Sequence, residues 1–311
     1  MNEKKVVMAG AGVMGASLAQ VYALAGYETC VYDLYEAGLE KGKHLIALNQ
    51  EMMVKEGPIT EEESKAACDR MEFTLDKESF RDCCLVVEST VERMDIKQNF
   101  FAEISEIAPK EALLATNTSG LKISEIAKAC KYPERFMGQH WLNPPHLLPL
   151  CEIIAGEKTS PENVQKMRAL VEGLGKQPVV VADINGFIIN RIQFAVLREA
   201  LHIVDIGAAT IEDVDTVLKA GMGLRYAALG PFGVADFGGL DTFDHINSYL
   251  NAELDDSKVG NKRLHEMVEA GKLGVKSGQG FYDYSGDKAD EAIRERDRLY
   301  IELAKVLYFK K

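Results

Sequence analysis

Four polar residues of this chain, Ser119, His140, Glu152 and Asn190, are of the types that a dehydrogenation needs. Taking hydride from a carbon that bears a hydroxyl group requires a base for the hydroxyl proton, and histidine titrates near neutrality. A carboxylate on the far ring nitrogen would fix the tautomer and stabilise the imidazolium, a part open to Glu152 beside His140. Glu152 stands in the run Leu150-Cys151-Glu152-Ile153-Ile154, and a charge in so apolar a setting needs a partner. The hydroxyl of Ser119 and the amide of Asn190 could hold the substrate oxygen. Singly, each residue also has a plain structural explanation: a turn serine, a surface histidine, a solvated strand carboxylate, an amide joining two helices.

Upstream stands Gly10-Ala11-Gly12-Val13-Met14-Gly15. Gly10 permits a tight turn, Gly12 lets the backbone approach a pyrophosphate, and Gly15 lets the following helix pack close to a strand. The helix opening at Val13 and Met14 offers its N-terminal amides and positive dipole end to phosphates. Asp33 follows Gly15 by 18 residues, near the spacing of about 20 expected of a carboxylate that binds ribose hydroxyls. A carboxylate there repels a 2′-phosphate, and Leu34 and Tyr35 supply no arginine to receive one. The pattern points to NAD rather than NADP.

The elements that must position these residues follow from the hydropathy pattern. Residues 5–9 read as a buried strand, 13–25 as a helix ended by Gly26, and 28–32 as a strand stopping at Asp33. Such a β-α-β unit implies a doubly wound sheet. Residues 36–56 read as a long mixed-charge helix, broken by Gly57-Pro58, and Thr60 to Glu63 carry a capping-box pattern. Further strands are expected at 85–88, 112–116, 136–141, 150–154 and 179–181, with helices at 95–107 and 161–174. Ser119 and His140 then lie at strand ends, where open α/β sheets bind ligands. Pro144 and Pro145 force an irregular loop before the strand of Glu152. From Gly186 onward the β-α alternation stops; helices are expected at 187–204, 211–220, 239–250, 262–270 and 289–308. The expected fold is a Rossmann-type α/β domain over residues 1–183 and an all-α domain over 184–311.

Composition sets outer bounds. The 311 residues carry a net charge of −12, from 48 acidic and 36 basic side chains, which argues against nucleic acid or an anionic membrane as partner. No apolar run reaches the roughly 18 residues of a membrane span. Met1-Asn2-Glu3-Lys4-Lys5 leads straight into a strand and does not resemble a signal peptide. Cys30, Cys68, Cys83, Cys84, Cys130 and Cys151 are scattered. They suggest a reduced cytoplasm and no metal site.

Taken together, these residues and spacings resemble the L-3-hydroxyacyl-CoA dehydrogenase family. The likeness runs through the glycine fingerprint, Val87-Glu88-Ser89-Thr90-Val91-Glu92, Asn117-Thr118-Ser119, His140-Trp141-Leu142-Asn143-Pro144, Gly186-Phe187-Ile188-Ile189-Asn190-Arg191, Gly230-Pro231-Phe232 and Lys276-Ser277-Gly278-Gln279-Gly280-Phe281-Tyr282. It implies that His140 is the general base, Glu152 its orienting carboxylate, and Ser119 and Asn190 the holders of the substrate oxygen. It places Glu92, Lys97 and Asn117 at the nicotinamide half of NAD, and it implies a homodimer built through the helical domain.

The chain also departs from the family's usual pattern. Gly120 replaces a serine, Trp141 and Leu142 replace two phenylalanines, and the loop reads Asn143-Pro144-Pro145-His146-Leu147-Leu148-Pro149. That double-proline form is similar to the branch of L-gulonate 3-dehydrogenase, the lambda-crystallin relatives and L-carnitine dehydrogenase, whose substrates carry no CoA. The closing Lys-Ser-Gly-Gln-Gly-Phe-Tyr motif is instead typical of acyl-CoA members. Lys41, Lys43 and Lys55 are offset by Glu40, Glu51 and Glu56 and make a poor phosphate patch. The expected reaction is reversible oxidation of the C3 hydroxyl of a short-chain (S)-3-hydroxyacyl-CoA such as 3-hydroxybutyryl-CoA. The alternative is the same chemistry on a free 3-hydroxy acid, with His146 and Arg225 as candidate carboxylate anchors. A non-catalytic NAD-binding protein would not require the Ser-His-Glu-Asn set. A 6-phosphogluconate-type dehydrogenase would need a catalytic lysine near paired asparagines, a pattern absent around residues 176–190.

Overall fold

The computed structural model describes Asn2 and residues 4–308. Among these, eight strands form one sheet: β1 (Lys5–Ala9), β2 (Glu28–Tyr32), β3 (Met71–Thr74), β4 (Leu85–Glu88), β5 (Leu113–Thr116), β6 (Phe136–Trp141), β7 (Leu150–Ala155) and β8 (Gln177–Ala182). Their order is β3-β2-β1-β4-β5-β6-β7-β8. Every neighbouring pair is parallel except β6 and β7. The strand order reverses between β1 and β4, which is where a sheet of this kind opens a crevice beyond its carboxyl ends.

Alternation along the strands explains why both sheet faces are covered. Val6 and Met8 of β1, with Leu85 and Val87 of β4, enter one apolar cluster. Val7, Ala9 and Val86 enter the other. Strands buried on both sides read as continuous apolar runs, so they are legible in sequence. The edge strand β3 is not: its residues are half-buried or exposed and give no such run. Helices α1 (Val13–Leu24), α2 (Glu36–Lys55), α3 (Glu61–Asp69), α4 (Met94–Ile107), α5 (Ile123–Ala127) and α6 (Pro161–Gly173) accompany the sheet. α1 is apolar all round and buried from Gly15 to Ala23, as a helix without a polar face must be. The capping box of Thr60 and Glu63 opens α3. All six cysteines are free thiols, four of them buried.

The remaining helices are α7 (Ile189–Asp205), α8 (Ile211–Val217), α9 (Leu224–Ala228), α10 (Gly230–Gly238), α11 (Leu240–Leu250), α12 (Lys262–Glu269) and α13 (Lys288–Leu307). A π-turn over Leu218–Gly223 joins α8 to α9. The chain forms two compact units, the first ending at Ile188 and the second running from Ile189 to Arg296. This departs from the division expected at 183/184 in one respect above all: residues 297–308 return to the first unit. The reason is packing. Ile301 of α13 is buried with Met53 of α2 and Leu147 of the β6–β7 loop, and Lys305 Nζ donates to the Glu56 carbonyl at 2.6 Å, closing the end of α2. A helix read from periodicity alone does not announce which unit its apolar stripe joins.

Candidate active site

The antiparallel pairing of β6 and β7 sets His140 directly opposite Glu152. Facing residues of such a pair project on the same side of the sheet, with their Cβ atoms about 5 Å apart. Here His140 Nδ1 lies 2.8 Å from Glu152 Oε2, and both side chains are buried. The second carboxylate oxygen, Oε1, accepts the Ile188 amide at 2.9 Å. With Nδ1 turned to a carboxylate, the proton sits on Nδ1 and the lone pair on Nε2. Phe187 adopts a positive φ of 50° and sets its ring 5.3 Å from the imidazole. On the opposite face of β7 from Glu152, burial pushes the Cys151 thiol well above its ordinary range, so it stays neutral.

Ser119 is joined to a second network. Glu92 Oε1 accepts the Ser119 amide at 2.9 Å and the Thr118 hydroxyl. Lys97 reaches the other oxygen of Glu92 at 3.5 Å. Lys97 is itself buried, and its ammonium binds both oxygens of the buried Glu88 at 2.7 and 2.9 Å. The hydroxyls of Thr116 and Thr90 and the Thr90 amide complete the coordination of Glu88. A buried ion pair persists only with its remaining valences filled in this way. Asn117 Oδ1 accepts the Trp141 amide at 3.0 Å, tying the end of β5 to the end of β6. Sequence reading missed Glu88 as a functional position, although the signal was there: a glutamate closing an apolar strand needs a partner, by the argument applied to Glu152.

The glycine turn is built for a dinucleotide. A Cβ on Gly15 would stand 1.8 Å from the Gly10 carbonyl oxygen, while one on Gly12 would meet nothing within 4 Å, leaving that side open. α1 begins at Gly12 with no side-chain cap, so its first amides are available to phosphate. Ser89, against the turn, holds a buried hydroxyl with no hydrogen-bond partner among the described residues. Asp33 accepts the Ala11 amide at 2.8 Å and the Tyr35 amide at 3.1 Å. Gly38 was missed in sequence: a Cβ there would fall 2.8 Å from the Asp33 carboxylate.

The remaining expected site residues stand on other elements. His146 is buried in the loop between the two catalytic strands. Asn190 stands in the first turn of α7, in the second unit, and its Oδ1 accepts from Gln193 at 2.8 Å. Arg225, also in the second unit, is exposed on α9. The closing motif at 276–282 folds into a tight turn in which Gly280 packs on the Gly274 backbone and the Tyr282 hydroxyl donates to Asp215 at 2.8 Å. Its job there is structural, which weakens it as a marker of CoA. Of the α2 lysines, Lys43 pairs with Glu40 at 2.7 Å and sits over the Phe73 ring.

A doubly wound sheet with an uncapped glycine turn at its switch point, and a buried imidazole–carboxylate pair on neighbouring strands, defines a nicotinamide-dependent dehydrogenase. Comparison with known proteins narrows the class. Residues 5–184 match the 3-hydroxyacyl-CoA dehydrogenase NAD-binding domain and residues 186–284 the 3-hydroxyacyl-CoA dehydrogenase C-terminal domain. The chain belongs to the 3-hydroxyacyl-CoA dehydrogenase family, uses NAD, and acts on CH–OH groups. It is 39% identical over 276 residues to a probable 3-hydroxybutyryl-CoA dehydrogenase of Deinococcus radiodurans, covering 88% of this chain and 98% of that one. It is 32% identical over 306 residues to 5-formyl-3-hydroxy-2-methylpyridine 4-carboxylate 5-dehydrogenase of Mesorhizobium japonicum, covering 98% of both. A crystal structure of a dehydrogenase of the latter name, described as an NAD+-dependent dismutase, superposes with a TM-score of 0.92 at 32% identity, over 99% of this chain and 100% of that one. The (S)-3-hydroxybutyryl-CoA dehydrogenase of Ralstonia eutropha gives 0.75 at 32% identity, over 92% and 100%. No helix of the described residues is long and apolar enough to cross a membrane.

Proposed function

We propose that the chain catalyses reversible NAD-dependent oxidation of the hydroxyl-bearing carbon of a small free hydroxy acid, with His140 as general base. The observation that carries the chemistry is the His140–Glu152 contact of 2.8 Å, its carboxylate locked on the far side by the Ile188 amide. When bound, NAD supplies the hydride acceptor; the glycine turn, Asp33 and the hydroxyl of Ser89 are the groups that would hold it. The chain's own part is the proton. Nε2 accepts it from the substrate hydroxyl as the carbon–hydrogen bond breaks, and Glu152 stabilises the imidazolium that results. Ser119 and Asn190 steady the substrate oxygen, and Glu92 holds Ser119 through its amide.

Three observations favour a free acid over a thioester. The pyridine-carboxylate dehydrogenase matches end to end. The loop after His140 has the double-proline form. And α13, which lies beyond the 284 residues reached by the family's models, sends its second half onto that same loop through Leu147 and onto the end of α2. The thioester reading rests on the greater identity to the 3-hydroxybutyryl-CoA dehydrogenases. The enzyme is read as a cytoplasmic homodimer formed through the second unit, whose helices leave their apolar residues exposed in the single chain.

The test is NADH absorbance with acetoacetyl-CoA as oxidant, run beside NAD with 3-hydroxybutyrate, L-gulonate, L-carnitine and a formylpyridine carboxylate, whose aldehyde presents a hydroxyl-bearing carbon once hydrated. Turnover of a free acid and silence with the thioester is the expected result. Rapid oxidation of NADH by acetoacetyl-CoA, lost in His140→Ala, would return the substrate to the CoA series.

A further inference from the structure

Lys176, at the turn between α6 and β8, is buried, and its ammonium is surrounded by backbone carbonyls. Nζ donates to Pro145 O at 2.7 Å, Leu148 O at 3.0 Å and His146 O at 3.4 Å. All three belong to the loop 142–149, which joins the strand of His140 to the strand of Glu152. Two successive prolines leave that loop short of amide donors. Its internal ties are the Leu147 and Leu148 amides, both donated to Pro144 O at 3.0 Å. An irregular loop packed inside a protein must still satisfy its carbonyls. An ammonium has three donors, and here each of the three finds a carbonyl.

We infer that Lys176 is a positioning residue for the dehydrogenation: its ammonium fixes the loop between the two catalytic strands, and so fixes where the substrate meets the His140–Glu152 pair. The inference about catalysis rests on the function proposed above; the inference about the loop does not. A misplacement of about 1 Å by a residue outside the chemistry can cost on the order of 100-fold in rate. Lys176 therefore has leverage without touching substrate.

Protonation supplies a second handle. Burial brings the Lys176 ammonium down to about 8, against a small opposing influence of Cys151. The titratable group that faces it is the Cys151 thiol on β7, itself neutral; His146 meets it through its backbone carbonyl, and Glu152 on β7 is turned to His140 and Ile188. The neutral amine keeps two donors for three carbonyls, so the grip weakens as pH rises through about 8. Folding stability moves the other way. Between that value and the unfolded value of about 10.4, the unfolded chain binds more protons, so this group's contribution to stability rises with pH.

The experiment is amide hydrogen exchange at Leu147 and Leu148, corrected for intrinsic rates, in the wild type at pH 7 and pH 9.5 and in Lys176→Met and Lys176→Ala at pH 7. Expected are a several-fold loss of protection in the wild type at high pH and about a tenfold loss in both variants. Ethylammonium should restore protection to Lys176→Ala. On the substrate that the wild type turns over, kcat should fall about tenfold or more, with NAD affinity within about twofold. Unchanged protection at these two amides would overturn the inference, as would a kcat that falls only with the folded fraction. If the variants do not fold, the wild-type pH comparison decides. Loss of protection in a protein that turns over no hydroxy acid or thioester would support the loop pin and overturn the proposed function instead.

Discussion

The two units bury their apolar residues in opposite ways. In the first, both faces of the sheet are sealed, and side chains such as Met8, Leu85, Phe101 and Phe136 have no exposed surface at all. In the second, Leu201 and Val234 are the buried apolar residues among those described, while Phe232 and Phe237 are 87% and 83% exposed. Val196, Ala200 and Ile203 of α7, Val214 and Val217 of α8, and Met222 of the π-turn line an apolar groove of about 300 Å³. The first unit's fold is explained by its own sequence. The second unit's sequence is explained only with a further surface laid against it, and the homodimer proposed above supplies one. The chemistry follows the same division, since the acid–base pair and the glycine turn belong wholly to the self-sufficient unit.

The hardest test of that division removes the base. His140→Ala should lower kcat by on the order of 100- to 10,000-fold while leaving NAD affinity within about twofold, measured by NADH fluorescence titration. Because the imidazole's hydrogen bond is to a residue of its own unit, the second unit should keep its association state. A variant as active as the wild type would take His140 out of the mechanism. Next in size is Phe232→Glu. On a truly solvent-facing site, such a change shifts stability by about 0.5 kcal/mol or less. If a second copy covers α10, a buried unpaired carboxylate should break the dimer in sedimentation and lower the unfolding midpoint. A variant that sediments and melts like the wild type would mean that the exposed face is only a face.

The same contrast explains which features were legible in the sequence. The glycine fingerprint and the central strands of the first unit could be read because local pattern and tertiary role coincide: a strand buried on both sides must be apolar throughout, which the edge strand β3 is not. Glu152 could be read because a charge inside such a strand advertises a missing partner. Lys176 could not, because the three loop carbonyls it meets stand 28 to 31 residues away in sequence; Gly38 could not, because the Asp33 side chain turns back onto α2, a direction that residue pattern does not state. Most helices of the second unit were placed by periodicity, although α9 and α10 were not expected; their packing was not legible, since much of their apolar surface faces away from the chain itself. The returning half of α13 escaped for a related reason: an amphipathic stripe states that it will be buried and not against what.

The smallest effects come from a matched pair of glycine substitutions. In Gly38→Ala the new methyl would fall within 2.8–2.9 Å of the Asp33 carboxylate, below any ordinary contact. The carboxylate is the movable partner, and its position is fixed by hydrogen bonds to Ala11 and Tyr35. NAD affinity should therefore drop several-fold, while stability changes little, because the helix gains what the contact loses: alanine is favoured over glycine in a helix by roughly 0.5–1 kcal/mol. Gly221, in the second unit, has open space around the same virtual methyl. Gly221→Ala should be neutral or raise the unfolding midpoint by a degree or two in a free surface. If instead it lowers the midpoint in a manner that grows with protein concentration, the space at Gly221 is open only in the single chain, and a second copy's backbone fills it. Thermal unfolding at two protein concentrations, for both variants, separates a glycine kept for a carboxylate of its own chain from one kept for a neighbour.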